Sequence, residues 1–284
     1  MGSRMAAQLV KGGADVLVWN RSKGKADELV AAGAKEAECP AEVVSSCSTT
    51  FAMLADPRAS EAVVFGPDGV LDGIKPGHAY VDSSTVDEHT GARAASALRE
   101  KEGRFLAAPV SGGWRDAAKG ELLFICGGDR DVYDRVSPQG GGMDLMGQRH
   151  WFVGDTPAAA ARAKLMLQIM MGNMIGALAE TIAVSEAAGL DPSQIMDMLN
   201  HSAMANPICT AKGKLIIERN FDPNFQVYLQ QKDLRLVQAL AEELEVPTPI
   251  SAAANGQYIR AKQLGFADKD FAAVFQAYVE KQRE

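Results

Sequence analysis

The chain is poor in residues that staple a fold or ligate a metal. Its 284 residues include four Cys and four His. The cysteines, at 39, 47, 126 and 209, form no CxxC pair and are too sparse for a disulfide framework. They are expected to be small buried thiols in a reducing compartment. The histidines, at 78, 89, 150 and 201, are scattered, and with no HExxH or Cys/His cluster no metal site is expected. Basic residues are outnumbered, 29 against 36, and the net charge of −7 argues against a nucleic-acid or acidic-membrane surface. Long apolar runs are also lacking. The most apolar stretch, residues 165–178, contains Gln168 and Asn173 and stops before Glu180. It falls short of the roughly 20 residues a bilayer span needs, so a buried helix and no membrane partner are expected. The apolar run after Met5 is cut by Lys11, which excludes a signal peptide, and Ala6 stands where a myristoylation signal needs Ser or Thr.

What is present is ordinary soluble composition, 47% hydrophobic and 23% charged, which excludes a disordered or coiled-coil chain. Residues 4–11 read as a helix stopped at Gly12-Gly13, and residues 14–19 as a strand. Ser22 is placed to cap a helix over 23–32, and residues 40–46 form a short helix. Strands are expected at 47–54, 79–83, 105–110, 122–126 and 150–153, with a helix over 87–101. Helices alternating with short apolar strands imply the α/β class with a doubly wound, mainly parallel sheet. Beyond Pro157 the pattern changes. No turn signal interrupts the chain until about Gly189, and a helix of that length spans roughly 45–50 Å. It is apolar on nearly every face, as for a helix buried in a domain or a subunit interface, so a homodimer or homotetramer is expected. Further helices are expected over 192–199, 226–244, 249–264 and 269–281. The domains are accordingly 1–153 and an all-α 154–284.

The first helix carries the first chemical signal. Gly2 stands just ahead of it, where the last glycine of a dinucleotide-binding turn belongs, and helix N-terminal amides suit a pyrophosphate. The next strand ends at Asn20-Arg21-Ser22. An NAD site has an acid near that spacing to hold the ribose hydroxyls, whereas the fork of Arg21 suits a 2′-phosphate, so NADP(H) is the expected cofactor. The strand and the first two glycines that belong before Gly2 are not in the sequence. A chain starting inside the motif is expected to be a shortened version of a longer protein or to be impaired in cofactor binding.

A specific resemblance follows from Met1-Gly-Ser-Arg-Met5, Val18-Trp-Asn-Arg-Ser22, Met53-Leu-Ala-Asp-Pro57, Val81-Asp-Ser-Ser-Thr-Val-Asp87, Ala108-Pro-Val-Ser-Gly-Gly113, Lys164, Gln230-Gln-Lys-Asp-Leu-Arg-Leu236 and Ala252-Ala-Ala-Asn255. In this order, over essentially the whole chain, they resemble the β-hydroxyacid dehydrogenase family, most closely its glyoxylate/succinic semialdehyde reductase branch. The resemblance implies a Rossmann domain followed by an all-α domain built on one long helix. It makes Lys164 the catalytic lysine, which protonates or hydrogen-bonds the carbonyl oxygen as hydride arrives at carbon. It assigns Ser111, Gly112 and Gly113 to the substrate carboxylate, Thr85 to the neighbourhood of the nicotinamide ribose, and Met53 and Leu54 to packing on the cofactor. It makes Lys232 and Asp233 a pair closing over cofactor and substrate. Adjacent helix residues do not face one another, so each is expected to find its own partner. Phe225 is expected to wall the substrate pocket.

Two positions depart from the family. Gln168 replaces the asparagine of its Lys-x-x-x-Asn pattern. The i, i+4 spacing keeps Gln168 on the face of Lys164, where its amide is expected to reach the substrate. Leu229 stands where the reductase branch usually carries His. The expected function is NADPH-dependent reduction of a small aldehyde acid, glyoxylate or succinic semialdehyde, in the cytoplasm, or in an organelle if a targeting segment precedes Met1. The alternatives are a 3-hydroxyisobutyrate-type dehydrogenase and a non-catalytic family member.

Overall fold

The computed structural model describes residues 1–279. The chain divides into two compact units, Met1–Lys164 and Leu165–Glu284. The division falls inside a helix, eleven residues beyond the boundary drawn at Gly154 from the change of pattern.

The first unit opens with α1 (Gly2–Lys11), β1 (Leu17–Val18), α2 (Asp27–Ala31) and β2 (Lys35–Glu36). Strands β1 and β2 form a two-stranded parallel ribbon. Helix α2 starts later than expected, because Asp27 and Glu28 supply the acidic first turn that the helix dipole favours, and Ser22 caps nothing. Next come α3 (Pro40–Ser46), β3 (Thr49–Ala52), α4 (Pro57–Phe65), α5 (Val70–Gly73), β4 (Ala79–Asp82), α6 (Glu88–Glu100) and β5 (Arg104–Ala107). The starts of α4 and α6 are set by side chains. Asp56 accepts the Ala59 amide at 2.8 Å ahead of Pro57, and Asp87 accepts the Thr90 amide at 2.8 Å.

Strands β3, β4 and β5 pair in parallel through these helical crossovers. The strand expected over 105–110 is split by Pro109, which has no N–H to continue a ladder. Its second piece is β6 (Val110–Ser111), followed by α7 (Trp114–Lys119), β7 (Leu122–Gly128), α8 (Arg130–Val136), α9 (Gly142–Met146) and β8 (Gly147–Gly154). Strand β7 runs antiparallel to β5 and β6 and parallel to β8. The main sheet therefore has six strands and is mixed at one end.

Period-two alternation divides its core. Val81 and Leu106 join Met5, Phe124, Met143 and Met146 on one face. Tyr80 and Phe105, their strand neighbours, join Val64, Leu98 and Ala160 on the other.

Helix α10 (Pro157–Ala187) begins in the first unit, and its residues from Leu165 on belong to the second. The second unit continues with α11 (Pro192–His201), α12 (Pro207–Ile217), α13 (Val227–Glu243) and α14 (Pro249–Ala261). Three of these helices begin at a proline whose missing N–H costs nothing there. The predicted helix over 249–264 ends earlier, in a π-helical turn at Lys262–Phe266. The one predicted over 269–281 is a 3-10 turn, Phe271–Phe275, and a short α15 (Gln276–Val279), and its last two residues lie outside the described ones. Ile175, Ile182, Leu234, Tyr258, Phe271 and Phe275 form this unit's core. The apolar surround of α10 is not buried on every side: Met166, Met170 and Val184 are 50%, 59% and 64% exposed.

Candidate active site

In the first unit the ends of β3 and β4 are tied together by a buried carboxylate. Asp82 Oδ1 accepts the Ser84 amide at 2.9 Å and Oδ2 accepts the Ser60 hydroxyl at 3.1 Å. Ser84 Oγ in turn accepts the Leu54 amide at 2.8 Å. A carboxylate can be buried this way because each oxygen receives a donor. Lys164, itself buried, lines a small cleft with Asp82, Ser84, Thr85, Pro109 and Ala161. Beside it, Arg162 Nη2 donates to Glu88 Oε1 at 2.8 Å and Nε to Oε2, and this bonding holds the Glu88 carboxyl below its usual range. A protected ammonium beside a hydroxyl and a carboxylate can donate to an oxygen brought into the cleft.

Gly2 abuts Met53: a Cβ on the glycine would lie 3.5 Å from the Met53 Cβ. The N-terminus of α1 and the end of β3 thus lie side by side. Met53 also packs on one core face and Leu54 on the other, so both have structural work to do. At the end of β1 the turn is closed by Asn20 Nδ2, which donates to the Ser22 carbonyl at 2.9 Å. Arg21 and Ser22 are exposed. The indole of Trp19 anchors the base of this turn by donating to the Glu38 carbonyl at 3.2 Å.

At the end of β6, Ser111 is half-buried and Gly112 turns the chain with φ +125°. The Gly113 amide donates to Asp116 Oδ2 at 2.6 Å, which starts α7. That amide was expected to grip a carboxylate. Asp116, three residues on, already holds it.

In the second unit Gln168, Lys232 and Asp233 come together, but with one another. Gln168 Nε2 donates to Asp233 Oδ2, and Lys232 Nζ lies 2.9 Å from Asp233 Oδ1. Asp233 thus has the separate partner expected of it, Gln168, but it also pairs with Lys232, which the expectation did not include. The flexible lysine stem curls back, and burial of both groups favours pairing over solvation. The Gln168 carboxamide, expected to reach substrate, is committed to Asp233. Phe225 is not with this group. Its ring meets that of Phe271 edge-on at 5.7 Å, its amide donates to Asp270 Oδ2, and it packs on the helical core. Among residues that sequence reasoning left out, Asp82 and Gln230 stand out as buried polar side chains inside motifs already singled out, and only their burial reveals them.

A nicotinamide dinucleotide fits what the first unit offers. A helix N-terminus without a side chain at Gly2, an exposed guanidinium at Arg21 and the strand ends tied at Leu54 and Ser84 offer a dinucleotide backbone amides, a cation and a strand-end crevice.

Residues 1–154 match the family described as the NAD binding domain of 6-phosphogluconate dehydrogenase. Residues 158–278 match that described as NAD-binding of NADP-dependent 3-hydroxyisobutyrate dehydrogenase. Glyoxylate/succinic semialdehyde reductase 2, chloroplastic, of Arabidopsis thaliana is 41% identical over 98% of this chain and 76% of its own length. Reductase 1 of the same plant is 39% identical over 98% of this chain and 94% of its own. The cytokine-like nuclear factor N-PAC of Xenopus tropicalis is 41% identical over 98% of this chain, which spans only 52% of that protein. Among solved structures, 3-hydroxyisobutyrate dehydrogenase from Salmonella typhimurium superposes with a TM-score of 0.87 at 26% identity, covering 97% of this chain and 95% of that one.

Proposed function

Because the chain belongs to the β-hydroxyacid dehydrogenase family, we propose that it is an NADPH-dependent reductase of small aldehyde acids, glyoxylate or succinic semialdehyde. Lys164 carries this reading. It is a buried ammonium in the same cleft as Thr85 and the Asp82–Ser84 tie.

Gly2, Asn20, Arg21 and Ser22 hold the adenosine and phosphate end of the cofactor, with Arg21 on the 2′-phosphate. Met53, Leu54 and Thr85 hold the nicotinamide end. NADPH, when bound, supplies the hydride. Ser111 and the main chain at Gly112 hold the substrate carboxylate. Lys164 hydrogen-bonds the aldehyde oxygen, stabilises the charge that develops there and delivers a proton to it. The walls of the cleft keep water from that oxygen, which strengthens the interaction.

The experiment is NADPH consumption with glyoxylate and with succinic semialdehyde, by the parent and by Lys164→Ala. Turnover in the parent and its loss in a folded variant are expected. Unchanged turnover in the variant removes the mechanism. The ratio of NADP to NAD use, and of these acids to 3-hydroxyisobutyrate, separates the reductase from the dehydrogenase of the same family.

A second reading, a non-catalytic member, is favoured by one observation: the Gly113 amide and the Gln168 carboxamide are both engaged by the protein's own side chains. Calorimetric titration with NADPH distinguishes it, since saturable binding is expected only of the reductase. We propose further that the chain works as a homodimer, a second copy covering the exposed methionines of α10.

A further inference from the structure

We infer that Gln230 is a positioning residue for this reaction: it holds the α10 main chain at Gln168, so that the Gln168 carboxamide and the Lys232 ammonium keep opposite oxygens of Asp233. The inference rests on the reductase reading for its consequence in turnover, but not for its geometry. Gln230, on the first turn of α13, is fully buried. Its Nε2 donates to the main-chain carbonyl of Gln168 at 3.2 Å. The room for this contact is made by Gly172, one turn further along α10. A Cβ there would lie 2.5 Å from Gln230 Nε2 and 3.0 Å from a Leu234 methyl. A side-chain amide thus reaches the backbone of a neighbouring helix through a gap that only glycine leaves.

Folding alone does not account for this residue. Its Oε1 is buried with no hydrogen-bond partner among the described residues, and a half-satisfied buried carboxamide costs stability that an apolar side chain of the same size does not. What the contact does is fix Gln168. The Gln168 backbone is held by Gln230 and its side chain by Asp233, whose other oxygen faces Lys232. All four residues are more than nine-tenths buried. Oδ2 accepts from Gln168 and Oδ1 is ion-paired with Lys232 without a hydrogen bond to it, so Asp233 orients both neighbours. Lys164 lies one turn before Gln168 on the same helix. A small shift of α10 at Gln168 therefore moves the amine, and displacements of about an ångström are costly to rate.

The test uses the whole chain and three variants: Gln230→Met, which keeps the volume and removes the donor, Gly172→Ala, which closes the gap, and the double. Each single variant is expected to lower kcat about tenfold with the KM for the aldehyde acid within about twofold. The double is expected to be no worse than either single, because both remove one contact. A second readout does not need turnover. Acetylation by an N-hydroxysuccinimide ester, followed by peptide mass spectrometry, is expected to label Lys232 several-fold faster in the variants. Lys212, buried against Asp270 at 2.8 Å, stays protected and serves as the internal control. If the parent proves inactive while Lys232 labelling rises in the variants, the clamp stands and the reductase reading falls. Unchanged Lys232 labelling, or a rise shared by Lys212, overturns the inference whatever happens to kcat.

Discussion

Glu88 and Cys126 show how the surroundings of a residue become measurable. The hydrogen bond from Arg162 lowers the Glu88 carboxyl from its usual value. A carboxylate whose folded value is depressed adds stability above its unfolded value, and that contribution disappears as pH falls through the folded one. Glu88→Gln is therefore expected to cost about 1 kcal/mol at pH 7, about 2 °C in the midpoint. The gap to the parent should close below about pH 4, as followed by thermal melts across pH. Cys126 is the one cysteine that matches the expectation of a buried thiol, since Cys39, Cys47 and Cys209 are only half-buried. Burial pushes the Cys126 thiol up to about 12. Iodoacetamide at pH 8 is expected to label the other three and to leave Cys126 untouched until the protein is unfolded. At the candidate site, Arg21→Ala is expected to raise the KM for NADPH by about tenfold or more and to leave that for NADH unchanged, because one charged hydrogen-bonded contact is worth about 1.5–3 kcal/mol.

Among the elements, those whose ends are written in local chemistry are the most legible. The helix expected over 40–46 is α3, with Pro40 at its first position and Cys39 ahead of it. The long helix expected from Pro157 to about Gly189 is α10, Pro157–Ala187. Helix α12 was not expected at all, although Asn206 caps it by accepting the Cys209 amide at 2.8 Å and Pro207 starts it. Asn206→Ala is expected to destabilise the second unit by about 1 kcal/mol, measured as a shift in its urea midpoint. The antiparallel pairing of β7 with β5 and β6 was not legible either. A strand carries no mark of the direction of its neighbour, and only the short β5–β6 turn at Pro109 and the glycines at the end of β7 let it reverse.

For the whole molecule the exposed face of α10 has the largest consequence. Met166, Met170, Met174, Ala177 and Val184 follow each other at helical spacing along it, and the first two and the last are half exposed or more. A stripe of that length left in water is unfavourable by roughly 25 cal/mol per Å² of apolar surface, the incentive for a second copy to cover it. Sedimentation is expected to show a dimer, and Met170→Glu to shift it to monomer at micromolar concentration. A parent that sediments as a monomer at all concentrations removes the proposal.

By itself the sequence determined the family and the α/β sheet followed by the long helix. These are carried by ordered local motifs and by hydrophobic period, both of which survive without coordinates. Tertiary structure alone decided where hydrogen-bonding capacity is spent. The Gly113 amide goes to Asp116, the Gln168 carboxamide to Asp233, and Lys232 to its own neighbour, while Gln230 enters the gap over Gly172. A buried donor takes whichever acceptor packing brings within about 3 Å. For Gln168 and Asp233 that acceptor lies 65 positions away along the chain, a distance that no local pattern can encode.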